Sequence, residues 1–308
     1  MARPTRPSRV RPWRVVPDQQ GRRIVVTGAN SGVGLATAAA LARAGGDVVL
    51  ACRSPERGEQ ALAGLGLPAE VRARTQVRAL DLSSLASVAS FAQEVAADGG
   101  CDVVVNNAGI MAVPFGRSAD GVELQLATNH LGHFALTLRL LPVLRDRVVV
   151  VSSQAHRQGV LDLDDLDWTR RGYQPFGAYA ASKLANLLFL GELQRRLTAS
   201  GSRLRAVGAH PGTTASGITG HTGNGLLSRV GAWGHRLVGM APDQGALPQL
   251  YAATMDVPGN TYLGPHALGE MRGWPVPVGR AQAALDPDLA RRLWSWSEER
   301  SGLRFPDR

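Results

Sequence analysis

Lysine is almost missing from this chain. Of its 34 Lys and Arg residues, Lys183 is the single lysine, so a compact ammonium is kept at one place where a planar guanidinium would not substitute. Cysteine is scarce too. Cys52 and Cys101 end apolar runs and lack metal-ligand spacing, which excludes a disulfide framework and fits reduced, buried residues of a cytoplasmic protein. Aromatic residues make up only 5%, a shortage that disfavours an all-β sandwich and suits helices lying closely on a sheet. No run reaches the roughly 18 apolar residues of a membrane span. Nor does an apolar stretch follow the N-terminal arginines, so neither secretion nor stable membrane insertion is expected.

What is present reads as globular, with 44% hydrophobic residues and 36 glycines in 308 residues. The formal charge is +9, but residues 1–20 hold five arginines against Asp18, leaving +5 on the rest. That is too little to argue for nucleic acid. The tail, with prolines at 4, 7, 12 and 17, reads as a disordered Arg/Pro-rich segment, and residues 21–308 as the folded domain.

From Arg22 onward, short β-branched runs alternate with Ala/Leu-rich helical runs. This is the pattern of βαβ units, and it predicts one doubly wound, Rossmann-like α/β domain with a parallel sheet of about seven strands. Strands are expected at 24–27, 48–52, ending at 79–82, at 102–106, 147–151, 204–210 and 261–263. Helices are expected over about 33–44, 55–65, 88–95 and 122–144, and from Tyr179 on.

Between the first strand and first helix stands Thr27-Gly28-Ala-Asn30-Ser31-Gly32-Val33-Gly34. A glycine turn there brings backbone N–H groups and a helix N-terminus to a pyrophosphate. The second strand ends in Cys52-Arg53, with no carboxylate until Glu56. An acidic residue would bind a ribose 2′-OH; Arg53 is placed to pair a 2′-phosphate, which favours NADP(H). In Tyr179-Ala-Ala-Ser-Lys183, a helix puts phenol and ammonium on one face. At about 4 Å and an effective dielectric of about 20, a cation stabilises a phenolate by roughly 4 kcal/mol, enough to draw a tyrosine pKa towards neutrality.

The ordered set of the glycine turn, Asn106-Asn-Ala-Gly109, Asn129, Ser153, Tyr179 with Lys183, and Pro211-Gly212 resembles the short-chain dehydrogenase/reductase superfamily over about residues 21–260. The resemblance implies Tyr179 as catalytic acid/base, with Lys183 lowering its pKa and holding the nicotinamide ribose. It implies Ser153 as orienter of the substrate oxygen, and Asn129 as holder of a water that connects Lys183 to solvent. Asp81 and Leu82 would contact adenine, and Asn107, Ala108 and Gly109 would flank the ribose. The segment after Pro211-Gly212, including Thr214, would cover the nicotinamide. The 26-residue spacing from Ser153 to Tyr179, and Tyr-x-x-Ser-Lys-Leu-Ala-Asn-Leu-Leu-Phe189, resemble the retinol-dehydrogenase-like and protochlorophyllide-reductase-like branch.

The expected activity is NADP(H)-dependent hydride transfer to or from a carbonyl or alcohol of an apolar small molecule, with ketone or aldehyde reduction favoured. The alternatives are an NAD-dependent alcohol dehydrogenase, or a non-catalytic dinucleotide sensor that would not need Tyr179 and Lys183. Ser153 and His156 lack a Gly-x-Ser-x-Gly turn, which argues against a hydrolase. His130 and His133 have no third ligand nearby, and no metal is expected. Residues 213–243 have the glycine and apolar content of a substrate lid. The Tyr179 helix is apolar nearly all round and so is either deeply buried or packed on a partner; a homodimer or homotetramer is expected through it. Leu293-Trp-Ser-Trp296 is expected to close the pocket or a dimer edge.

Overall fold

In the computed structural model, which describes residues 13–213 and 240–306, eight strands form one sheet in the order β3-β2-β1-β4-β5-β6-β7-β8. They are β1 (Arg23–Thr27), β2 (Asp47–Cys52), β3 (Thr75–Ala79), β4 (Cys101–Asn106), β5 (Leu144–Val151), β6 (Arg205–Ala209), β7 (Tyr262–Ala267) and β8 (Arg272–Pro277). All neighbours run parallel except β7 and β8.

The β-branched runs form strands because both faces of the sheet are covered. Successive residues alternate between two cores: Val25, Val104, Val148 and Val150 face one layer, and Ile24, Val26, Val103, Val105 and Val149 face the other. The second layer contains α1 (Gly32–Arg43) and α2 (Pro55–Ala63), joined to β3 through the short α3 (Ala69–Arg72). The first holds α4 (Leu85–Ala97), α5 (Leu124–Leu126), α6 (Gly132–Leu140) and α7 (Pro175–Ala199). Then α8 (Pro242–Thr254) joins α1, and α9 (Pro287–Ser301) joins α7. Strand order reverses between β1 and β4, opening a crevice at the carboxyl ends of these strands.

Three expectations are corrected. The sheet has eight strands rather than about seven. Pro275 and Pro277 argue against a central strand, but β8 pairs on one side only, where proline is tolerated. The helix expected over 122–144 is a composite: α5, a π-helical turn at Ala127–Leu131, α6, and a 3-10 turn at Leu141–Val143, where Pro142 ends it and Leu144 already begins β5. Residues 13–20, assigned to the tail, lie on the domain. Trp13 meets Tyr251 edge-on at 5.1 Å, and the Gln19 N–H donates to Ala44 O at 2.7 Å.

The residues of α7 from Ala178 to Leu190 are buried within the chain itself. Trp294 of α9 lies 4.9 Å from the Phe134 ring and 5.9 Å from the Phe189 ring. It stands outside the cleft lining and covers the outer side of α7. The apolar girth of this helix is met by these contacts.

Candidate active site

The crevice is built from β-strand ends. β1 delivers the glycine turn, in which Gly28 (φ 65°) and Gly32 (φ 53°) are left-handed. A Cβ on Gly28 would stand 2.8 Å from Ala108 Cα, and one on Gly34 would stand 2.5 Å from Asn107 Nδ2. The turn and the Asn107–Gly109 segment thus touch through backbone, and Asn107 Nδ2 donates to Thr27 O at 2.8 Å. Ser31, at the N-cap of α1, makes no side-chain bond to its own helix, leaving an N-terminus suited to an anion.

β2 brings Arg53 to the same cleft. The cleft has a volume of about 340 Å³ and its walls include Asn30, Ser31, Val33, Arg53, Asp81, Leu82, Asn107, Ala108, Gly109, Tyr179, Lys183 and Pro211. Asp81 is partly engaged in its own loop, accepting from Ser83 N at 2.9 Å and Ser83 Oγ at 2.6 Å. The strand expected to end at Leu82 stops at Ala79, so Leu80 to Leu82 form the loop that faces the cleft.

β5 ends beside the reactive group. Ser152 Oγ donates to Lys183 O at 2.8 Å, and Ser153 N-caps a 3-10 turn at Gln154–Gln158. Lys183 Nζ lies 5.8 Å from the Tyr179 ring centroid and donates to Val151 O at 3.3 Å. Asn129 sits in the π-helical turn. Its Oδ1 accepts from Ile110 N at 2.8 Å, and its Nδ2 donates to Ile110 O and Ser182 Oγ, both at 2.9 Å. The carboxamide is therefore a brace for the backbone beyond Gly109.

The electrostatics differ from expectation. Burial raises the Tyr179 pKa, with the facing Ser153 hydroxyl acting the other way, while burial lowers Lys183 to about 8. Pairing alone predicts a phenolate near neutrality. Both groups are desolvated, however, and loss of hydration is the largest influence on each.

Two sequence-level rivals meet the geometry. His156 Nδ1 donates to the Ser153 carbonyl oxygen at 2.6 Å, and its Nε2 accepts from Ala281 N at 3.1 Å; neither nitrogen serves the Ser153 hydroxyl. His130 Nε2 bonds Ser297 Oγ at 2.9 Å and His133 bonds Thr27 and Asn129, so both are held by protein groups. Among the described residues no cluster of three metal-ligating side chains occurs.

Gly212 (φ 71°) packs against the β7–β8 turn, and Thr213 N donates to Met271 O at 3.0 Å. Thr214 and most of the lid expected at 213–243 lie outside the described residues. Sequence reasoning missed Ser54, Arg57, Ile110, Met111, Leu124 and Thr128, all lining the cleft. Arg57 had a signal: Ser54-Pro55 is an N-cap and N1 pair, which puts Arg57 in the first turn of α2, beside Arg53. The apolar residues carried none.

A family model described as short chain dehydrogenase matches residues 22–225. The chain belongs to the short chain dehydrogenase family. Among curated members, human retinol dehydrogenase 13 is 39% identical over 297 residues, covering 93% of this chain and 86% of its own length. Mouse polyprenol dehydrogenase is 40% identical over 306 residues, with 94% and 85% covered. Among solved structures, a Mycobacterium paratuberculosis protein is 46% identical with a TM-score of 0.80, covering 95% of this chain and 97% of its own. The likeness to retinol dehydrogenase 13 bears out the retinol-dehydrogenase-like branch expected from the spacing and the Tyr179 helix.

Proposed function

We propose that this short chain dehydrogenase is an NADP(H)-dependent reductase of apolar ketones or aldehydes, working between the carbonyl and the alcohol. The observation that carries the reading is one cleft whose walls include Arg53, Arg57, Tyr179 and Lys183, with the Ser153 hydroxyl beside the Tyr179 phenol. The residues fit a dinucleotide. The backbone contact at Gly28 and Gly34 leaves no room for a Cβ, the α1 N-terminus suits a pyrophosphate, and Arg53 with Arg57 suits a 2′-phosphate. When bound, the cofactor supplies the hydride.

The chain's own residues supply the proton and the orientation. Ser153 faces the Tyr179 phenol and can hold the carbonyl oxygen at it. Tyr179 donates its proton to that oxygen as the carbon is reduced. The nearby Lys183 ammonium offsets the negative charge left on Tyr179. Ile110, Met111 and Leu124 give the cleft its apolar wall, and Phe176, 46% exposed, lies 6.1 Å from the Tyr179 ring. The names of the retinol and polyprenol dehydrogenases support an apolar substrate.

The test is fluorescence titration with NADPH and NADH, followed by turnover of a panel of lipophilic ketones and aldehydes. Tyr179→Phe is expected to lower turnover by roughly two to four orders of magnitude while NADPH still binds. Near-wild-type turnover by that variant refutes the mechanism. Tight NADPH binding without turnover of any compound by the wild type favours a sensor instead.

A further inference from the structure

His133 is a buried histidine that the proposed chemistry does not use. It lies on α6, four residues past Asn129, and is 2% exposed. Its Nδ1 is 3.0 Å from the backbone oxygen of Asn129, and its Nε2 is 2.9 Å from Thr27 Oγ1.

The direction of each proton follows from the partners. A carbonyl oxygen can only accept, so Nδ1 carries the hydrogen and Nε2 of the neutral ring is an acceptor. The Thr27 hydroxyl receives N–H bonds from Asn107 and Ala108, both at 3.0 Å, which occupy its two lone pairs. Its own hydrogen must therefore be given away. His133 Nε2 lies closer than the other acceptor, Val105 O, at 3.3 Å. A second proton on the ring would confront a filled hydroxyl. In keeping with this, burial, together with the repulsion of Lys183, brings the His133 pKa down to about 4 against the pull of the Asn129 carbonyl.

These bonds close a ring. Thr27 holds the start of the Asn107–Ile110 segment, Asn129 holds its end through both polar groups of Ile110, and His133 joins Thr27 to Asn129. Gly109 lies inside the ring, close enough that a Cβ would stand 3.3 Å from both Asn129 Oδ1 and Lys183 Nζ. Small shifts of this segment therefore reach the ammonium directly.

We infer that His133 is a positioning residue: as the neutral Nδ1–H tautomer it ties the dinucleotide turn to Asn129 and so fixes the 107–110 backbone against Lys183. The inference rests on the oxidoreductase reading of the cleft.

Three variants of the full-length protein separate the two links. In His133→Asn the amide nitrogen replaces Nδ1 and the Thr27 link is lost; in His133→Gln the amide reaches the Nε2 position and the Asn129 link is lost; His133→Phe loses both. The expected result is a split. His133→Gln lowers kcat about tenfold with NADPH affinity nearly unchanged, and His133→Asn weakens NADPH about tenfold with a smaller effect on kcat, each reflecting one lost buried bond. His133→Phe shows both losses. If His133 only fills space, Phe is the mildest of the three and kcat and KM move together with the melting temperature; that pattern overturns the inference. Nitrogen-15 NMR of the wild type is expected to show protonated Nδ1 and bare Nε2 for His133, and the opposite tautomer also overturns it. A wild type that turns over no carbonyl defeats the oxidoreductase reading, and the tautomer and the NADPH affinities of the variants then decide the case of His133.

Discussion

Replacing Gly34 by alanine sets two effects against each other. Gly34 lies in the first turn of α1, and a glycine to alanine change inside a helix gains up to about 1 kcal/mol from backbone entropy. The new Cβ, however, would stand 2.5 Å from Asn107 Nδ2 and closer still to the Gly28 carbonyl oxygen. Neither is the end of a flexible chain: one is backbone, and the other is the amide that donates to Thr27 O at 2.8 Å. Relief requires the turn to open by several tenths of an ångström or more, at an overpacking cost of about 1–3 kcal/mol. Weakening of the Asn107 bond adds about 1 kcal/mol. Destabilisation by about 1–3 kcal/mol is expected, with weaker NADPH binding because the displaced turn forms the dinucleotide cradle. Gly191 is the control. It lies inside α7, and the nearest atom to its Cβ would be Asn260 Oδ1 at 3.9 Å, so Gly191→Ala should stabilise by up to about 1 kcal/mol. Urea unfolding of both variants reads the two signs. A Gly34→Ala protein that is more stable than wild type and binds NADPH as tightly refutes the close-contact reasoning.

Arg53→Asp should weaken NADPH by about 10- to 100-fold, with Arg57→Ala losing about tenfold and NADH little affected in either, the range for a lost charge-assisted bond; an unchanged NADPH to NADH preference removes Arg53 from the site. Lys183→Met should stabilise the fold at pH 7, because burial lowers the Lys183 pKa to about 8. The unfolded chain binds the extra proton between about pH 8 and 10.5, so wild-type stability rises with pH there and the advantage of the variant shrinks by pH 10. Denaturation curves at both pH values check this, and a constant difference contradicts a buried cation. His130, His133 and His210 have pKa values lowered to about 3, 4 and 3 by burial. Unfolding then takes up as many as three protons as pH falls below about 6.5, and stability should drop towards a limiting slope of roughly 4 kcal/mol per pH unit. Urea midpoints that stay level from pH 7 to pH 5 would exclude it.

Much of the site was legible because its chemistry is tied to chain position. A strand, a glycine turn and a helix must follow one another to form an anion cradle, so Gly28 to Gly34 disclose their place by order alone. The strands were legible because covering both faces of a sheet demands unbroken β-branched runs. What was not legible depends on distant partners. The apolar girth of α7 is answered by Trp294, more than a hundred residues further along, and His133 is oriented by Thr27, more than a hundred residues earlier. The upward pull of burial on the Tyr179 pKa was not legible because pair spacing shows attraction but not desolvation. Ile110, Met111 and Leu124 line the cleft through a fold that no local pattern announces. Arg57 could have been found, since capping rules fix the start of α2.

The prolines of β8 have a consequence for how copies of this protein can meet. Trp274 N and Val278 N donate towards β7, to His266 Nδ1 and Tyr262 O, each at 2.8 Å. Alternation along a strand then turns positions 275 and 277 outward, where proline offers no N–H. The free margin of the sheet lacks donors at the places where an incoming strand would seek them. Among the described residues, this edge is therefore ill suited to strand addition from another chain, the commonest hazard of an open sheet.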